Sequence, residues 1–132
     1  MPHLKVFIRS PQQRHKLLRF TPVGRNKPIT RHAAVIIEAK YLELLRRGYE
    51  VTVGRTGDKE IDFVCDKRGE KLYVQVTYLL ASEETVNREF GAYDNIRDNF
   101  PKYVVSLDEY DMSRNGIKHR NIRDFLLAEE WN

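Results

Sequence analysis

From Arg31 to Arg47 apolar residues recur at helical spacing, with Ala34, Ile37, Tyr41, Leu42, Leu44 and Leu45 forming one stripe. Lys40, Glu43, Arg46 and Arg47 fall on the opposite side, Thr30 is placed to cap the helix, and Gly48 to close it in a left-handed conformation. The period then drops to two. Tyr49, Val51 and Val53 alternate with polar residues, Gly57-Asp58 supplies a turn, and Ile61, Phe63 and Cys65 alternate again. After a second turn around Lys67-Arg68-Gly69, Leu72, Val74, Val76 and Tyr78 continue the pattern, so three strands in a meander follow the helix. Ser82 caps a second helix whose Val86, Phe90, Tyr93 and Arg97 share one face, and Asn99-Phe100-Pro101 stops it. Tyr103 to Leu107 is short, apolar and β-branched, which predicts a fourth strand buried on both faces. An Asn115-Gly116 turn comes next, and Ile122, Phe125, Leu126, Leu127 and Trp131 suit a closing helix. The predicted order is helix, three strands, helix, strand, helix.

The first thirty residues differ from this body. They contain four of the five prolines and no acidic residue, and they read as a basic, irregular arm with a short strand at Leu4 to Arg9, preceding a domain over residues 31–132. Charge follows the same division: residues 1–50 hold 11 Lys and Arg against three acids, and the rest holds 12 against 16. A basic arm on a mildly acidic body favours a polyanionic partner such as DNA, because each Lys or Arg near a phosphate releases condensed counterions; a solvated tail is the plainer explanation. At 132 residues with 41% hydrophobic positions, the chain makes one core rather than two. The longest apolar run, Ala33 to Ile37, is too short to span a membrane, and the N-terminal residues lack a signal-peptide core. Cys65 is the single cysteine, so the expected compartment is the reducing cytoplasm.

Among chemistry-bearing residues, Glu38 falls within the apolar stripe of the first helix, where a carboxylate is costly unless it neutralises, pairs or binds a cation; a rim glutamate paired with an arginine is the ordinary alternative. In the second strand Ile61, Phe63 and Cys65 are expected on one face and Glu60, Asp62 and Val64 on the other. Lys71, Tyr73, Gln75 and Thr77 share a face of the third, which places Asp62 within reach of Gln75 and Thr77. The four histidines show no zinc-ligand spacing and no phosphate-binding loop is present, so ATP hydrolysis by this chain alone is not expected.

The strings Glu60-Ile61-Asp62-Phe63-Val64 and Tyr73-Val74-Gln75-Val76-Thr77, after a helix bearing Glu38, resemble the PD-(D/E)XK nuclease-like fold. More narrowly, residues 41–127 resemble the C-terminal module of a group of prokaryotic AAA-type ATPases. This match rests on Tyr41 to Glu50, Gly57 to Val64, Arg88-Glu89-Phe90, Pro101 to Val104 and Arg114 to His119.

The resemblance implies an α/β (α+β) sandwich with an αβββαβ core and a mixed central sheet. In active members a helix glutamate, a strand aspartate and a further acidic residue hold Mg²⁺, and a lysine two positions on helps place the attacking water. Carried onto this chain, the catalytic positions are Glu38, Asp62, Gln75 and Thr77, and the metal positions Glu38, Asp62, Gln75 and Val76. Gln75 replaces the acidic residue, Thr77 replaces the lysine, and Glu38 lies three rather than four residues before the matched Tyr41. A neutral amide removes one negative charge and a threonine supplies no cation. Three readings follow. One is a degenerate nuclease-fold module that binds DNA or a partner such as an ATPase domain, with Arg31, Lys40, Arg46 and Arg47 on phosphates. Another is a protein-interaction domain without nucleic-acid affinity, marked by homodimerisation. The third is a Mg²⁺-dependent endonuclease acting on branched DNA.

Overall fold

The structure is a computed structural model that describes the backbone of Lys5–Phe7 and of residues 31–132, with side chains from Glu38 onward. The Thr30 cap, the Arg31 side chain and the rest of the N-terminal arm lie outside the described residues. Three helices and six strands are described: β1 (Lys5–Phe7), α1 (Arg31–Arg46), β2 (Glu50–Thr56), β3 (Lys59–Lys67), β4 (Glu70–Val76), α2 (Glu83–Gly91), β5 (Lys102–Ser106), β6 (Lys118–Asn121) and α3 (Ile122–Leu127). Among them no helix is long and apolar enough to cross a membrane.

The strands form one mixed sheet in the order β1-β2-β3-β4-β5-β6. β1 to β4 are antiparallel, and β4, β5 and β6 run parallel. This α+β architecture contains the expected αβββαβ run and adds a strand at each edge. β1 pairs with β2 through Val6 opposite Gly54, so part of the basic lead-in belongs to the sheet. β6, which the sequence pattern did not predict, pairs with β5; its Lys118-His119-Arg120-Asn121 contains no apolar residue and buries only His119.

Local chemistry explains the element ends. Gly48 takes φ +89° just beyond α1, which an L side chain resists, and the Gly48 and Tyr49 amides bond back to Leu45 and Leu44. The Ser82 hydroxyl accepts the Thr85 amide 3.1 Å away and caps α2. α2 stops at Gly91, earlier than its apolar spacing predicted, so Tyr93 and Arg97 follow in the connection to β5. β4 ends at Val76, short of Tyr78, although the Thr77 amide still donates to the Val105 carbonyl and the Leu107 amide to that of Tyr78.

Two cores cover the two faces of the sheet. On one, α1 and α3 pack Tyr41, Leu44 and Phe125 against Phe63, Cys65, Val74 and Val105. On the other, α2 packs Val86 and Phe90 against Ile61, Val64, Tyr73 and Val104. Ile61 and Phe63 were expected on the same face and are not. Thr52 pairs with Val64 and Gly54 with Ile61, so Val53 opposes two residues, Asp62 and Phe63, in a β-bulge that resets the alternation. Phe125 stacks on Trp131 at 4.5 Å between centroids and meets Tyr103 edge-on at 5.4 Å, and such pairs add about 0.5–1.5 kcal/mol each beyond their burial.

Candidate functional site

Asp62 sits at the bulge of β3, where β3 and β4 part. Their main-chain pairing is regular from Lys67↔Glu70 to Phe63↔Val74; beyond it two reciprocal side-chain bonds take over. The Asp62 amide donates to Gln75 Oε1 at 2.6 Å, and the Val76 amide donates to Asp62 Oδ2 at 2.9 Å. The expected proximity of Asp62 and Gln75 is therefore one direct bond, with a second from Asp62 to the adjacent Val76 amide. Val76 takes part through its main-chain N–H, its side chain lying in the α1/α3 core.

A third polar residue joins them from α2. Glu89 is fully buried, and its Oε2 accepts the Gln75 Nε2 at 3.4 Å while its Oε1 lies 3.5 Å from Arg88 Nε. Glu89 belongs to the matched phrase Arg88-Glu89-Phe90, where the sequence pattern assigns it no role. Its neighbours Asn87 and Arg88 make the stretch look solvated, and the available signal was its position three residues after Val86 and one before Phe90, on the inner side of α2. Tyr93 lies close by: its hydroxyl donates to the Tyr103 carbonyl at 2.7 Å, and burial, with the negative fields of Asp62 and Glu89, pushes the phenol well above its usual range.

The other expected site residues are placed differently. Glu38 is exposed, not within the apolar stripe, because the inner face of α1 is set by Lys40, Tyr41 and Leu44; Leu42, four residues after Glu38, is likewise exposed at 56%. Lys40, expected on the solvent side, is completely buried. Its Nζ lies 4.7 Å from the Phe125 ring centroid and has no hydrogen-bond partner among the described residues. Burial drives its amine well below the usual lysine range, against the opposing pull of Asp62 and Cys65. Thr77 is half-buried, and no described bond links its side chain to Asp62 or Gln75.

Of the expected phosphate contacts, only Arg46 presents an exposed described side chain, and it pairs with Glu43 at 2.6 Å. Hydrogen bonds from Arg46 and then Arg47 hold the Glu43 carboxyl down at about 2. Arg47 is occupied in packing: it donates to the Leu126 and Glu129 carbonyls at 3.0 and 3.3 Å, and its guanidinium carbon lies 3.8 Å from the Trp131 ring centroid. Lys59, which opens β3, donates to the Gly91 carbonyl at 2.9 Å and to Asp94 at 3.1 Å. With Arg55, Arg88 and Asn87 it lines an open cleft of about 250 Å³ that has Gln75 in its wall.

The expected Mg²⁺ ligands Glu38, Asp62 and Gln75 do not come together as a set. Glu38 faces solvent, the Gln75 oxygen is engaged by a main-chain N–H, one Asp62 oxygen is engaged by another, and Gln75 itself bridges to Glu89. Two carboxylates, Asp62 and Glu89, stand beside a neutral amide, and Gln75 brings no charge where an acidic ligand is expected. Among the described residues no three His, Cys, Asp or Glu side chains gather at ligand spacing.

A second buried network joins the carboxyl end of β5 to the amino-terminal half of β6. The Met112 amide donates to His119 Nδ1 at 3.2 Å, so Nε2 carries the proton and donates to Ser106 Oγ at 2.7 Å, which donates to Asp108 Oδ2 at 2.7 Å. Asp108 also accepts the Leu80 amide at 2.7 Å. Ser106 is wholly buried, and its carboxylate partner orients the hydroxyl rather than the imidazole, so the network fastens loops instead of presenting a nucleophile. Burial lowers the His119 pKa, with Asp108 and Asp111 opposing the shift.

The chain is 38% identical over 88 residues, 66% of its length, to an uncharacterized protein of Haemophilus influenzae, and the match spans 21% of that protein. The chain thus corresponds to about a fifth of the curated relative it matches. No family model matches the chain. No solved structure matches it.

Proposed function

We propose that the chain is a nuclease-fold module of the PD-(D/E)XK type that binds DNA without cutting it. The observation that carries this reading is the β3/β4 fork. The strands open at Asp62 and Gln75, where the fold's hydrolytic centre would lie, yet the Asp62–Gln75–Glu89 side chains bond to one another and to main chain. The lysine expected to place an attacking water is replaced: Thr77 occupies that position, and of the described lysines Lys40 is buried beside Phe125 and Lys59 is held by Asp94. The αβββαβ run and the match to one fifth of a longer relative support a module that once served, or serves, a larger protein. The excess of Lys and Arg over acids in residues 1–50 supports a polyanionic partner.

The test is incubation of the full chain with labelled duplex, single-stranded and four-way-junction DNA in Mg²⁺ or Mn²⁺, beside Asp62→Asn. The expected outcome is intact DNA with a gel shift that weakens steeply as salt rises. Metal-dependent cutting that disappears in Asp62→Asn would make the chain an enzyme. The absence of any shift, with self-association at micromolar concentration, would make it a protein-interaction domain.

A further inference from the structure

A second opening, a groove of about 730 Å³, lies across the C-terminal half of α2 and the segments that lead into β5 and β6. Its lining residues include the buried Phe90, the half-buried Phe100, the exposed Asn87, Asn99 and Asn115, and the exposed Arg114. Those four polar side chains make no hydrogen bond or ion pair with another described residue. The acids in the groove are neutralised from within the fold: Asp98 accepts the Tyr73 hydroxyl at 2.6 Å and lies 2.9 Å from Lys102, and Asp94 lies 3.1 Å from Lys59. Arg114, with its guanidinium carbon 5.8 Å from the Phe90 ring centroid, is therefore the lining cation without a counter-ion among the described residues.

These features narrow the ligand class. An uncompensated guanidinium selects an anion, and a bare anion would leave the amides and rings unused. Carboxamides carry both a donor and an acceptor, which matches the edge of a nucleobase. The half-buried Phe100 ring offers a face on which a planar base is stabilised. A nucleotide combines an anion, an edge and a plane, and the volume lies within the usual range of about 300–1,000 Å³ for small-ligand sites. Position supports the same class: Asn87, Gly91 and Asp94 line both this groove and the cleft walled by Gln75, so a strand lying in the cleft reaches the groove without crossing another element.

We propose that the groove is a nucleotide subsite that seats one unstacked base of a DNA strand, with the asparagine carboxamides on the base edge and Arg114 on a neighbouring phosphate. It deepens the DNA-binding reading and rests on it. The test compares binding of the full chain to a fluorescent blunt duplex and to the same duplex with a short single-stranded tail, for wild type, Arg114→Ala and Asn99→Ala. The tail is expected to tighten binding by about tenfold, the scale of one stacked base. Each substitution is expected to remove most of that gain with the melting temperature unchanged. Equal binding of both duplexes, or a gain that both variants retain, overturns the subsite and leaves the DNA reading standing. No binding of either duplex overturns both. Titration with dAMP supplies the last arm: saturation at the groove without a preference for the tailed duplex would identify a free nucleotide as the ligand and overturn the strand proposal.

Discussion

The two faces of the sheet bury polar groups in opposite ways. Under α2, Gln75, Glu89, Ser106 and His119 are all buried, and each is hydrogen-bonded to a named partner. Under α1 and α3 the core is aliphatic and aromatic, and the Lys40 amine it encloses lies over the face of Phe125 with no hydrogen-bond partner among the described residues. An unpartnered buried cation opposes folding, whereas a satisfied network specifies one arrangement. The α1/α3 face therefore relies on apolar burial and tolerates one cost; the α2 face gives up apolar area to hold the Asp62–Gln75–Glu89 geometry in place.

Substitutions on each side test that division. Phe125→Ala should have the largest effect, about 3–5 kcal/mol in urea unfolding, because it removes the ring that Trp131, Tyr103 and Lys40 all contact. A loss below about 1 kcal/mol would show that the aromatic face is not the principal source of stability. Gln75→Leu comes next, at about 1–3 kcal/mol, since it strips the Asp62 amide of its acceptor and Glu89 of a donor. If that variant is neutral, the polar face is not held by its network.

Lys40→Met should run the other way and stabilise by about 1 kcal/mol at neutral pH. The folded-state pKa of Lys40 lies below its unfolded value, so the unfolded chain binds the extra proton between the two and wild-type stability climbs as pH rises toward 10.5. The advantage of Lys40→Met should accordingly shrink over that interval, and a constant advantage across it would contradict a lysine pKa lowered by burial. The smallest effect is at His119. Its folded pKa is also depressed, so the stability of the network is lost as pH falls below 6.5, and His119→Asn should flatten that part of a melting-temperature profile.

Much of this architecture is legible in the residues. Period-two alternation and glycine turns locate β2, β3 and β4, and because two strands joined by a tight turn align their side chains, Asp62 and Gln75 are legible as neighbours. The phase of α1 is not. Leu42 and Lys40 are both long enough to cover apolar surface, each residue turns the helix by about 100°, and the packing against Phe125 decides which of them goes inward. The bulge at Asp62 carries no glycine or proline signal within β3, so strict alternation assigned Ile61 to the wrong face. β6 escapes notice because its stability comes from parallel pairing and one buried histidine rather than from hydrophobic spacing.

Cys65 turns the α1/α3 layer into its own clock. The thiol is fully buried, burial raises its pKa far above the usual range, and the chain has no second cysteine to obscure it. Alkylation by an excess of thiol reagent must wait for α1 to lift from β3, so the half-life of Cys65 measures how often that layer opens while the rest of the molecule stays folded.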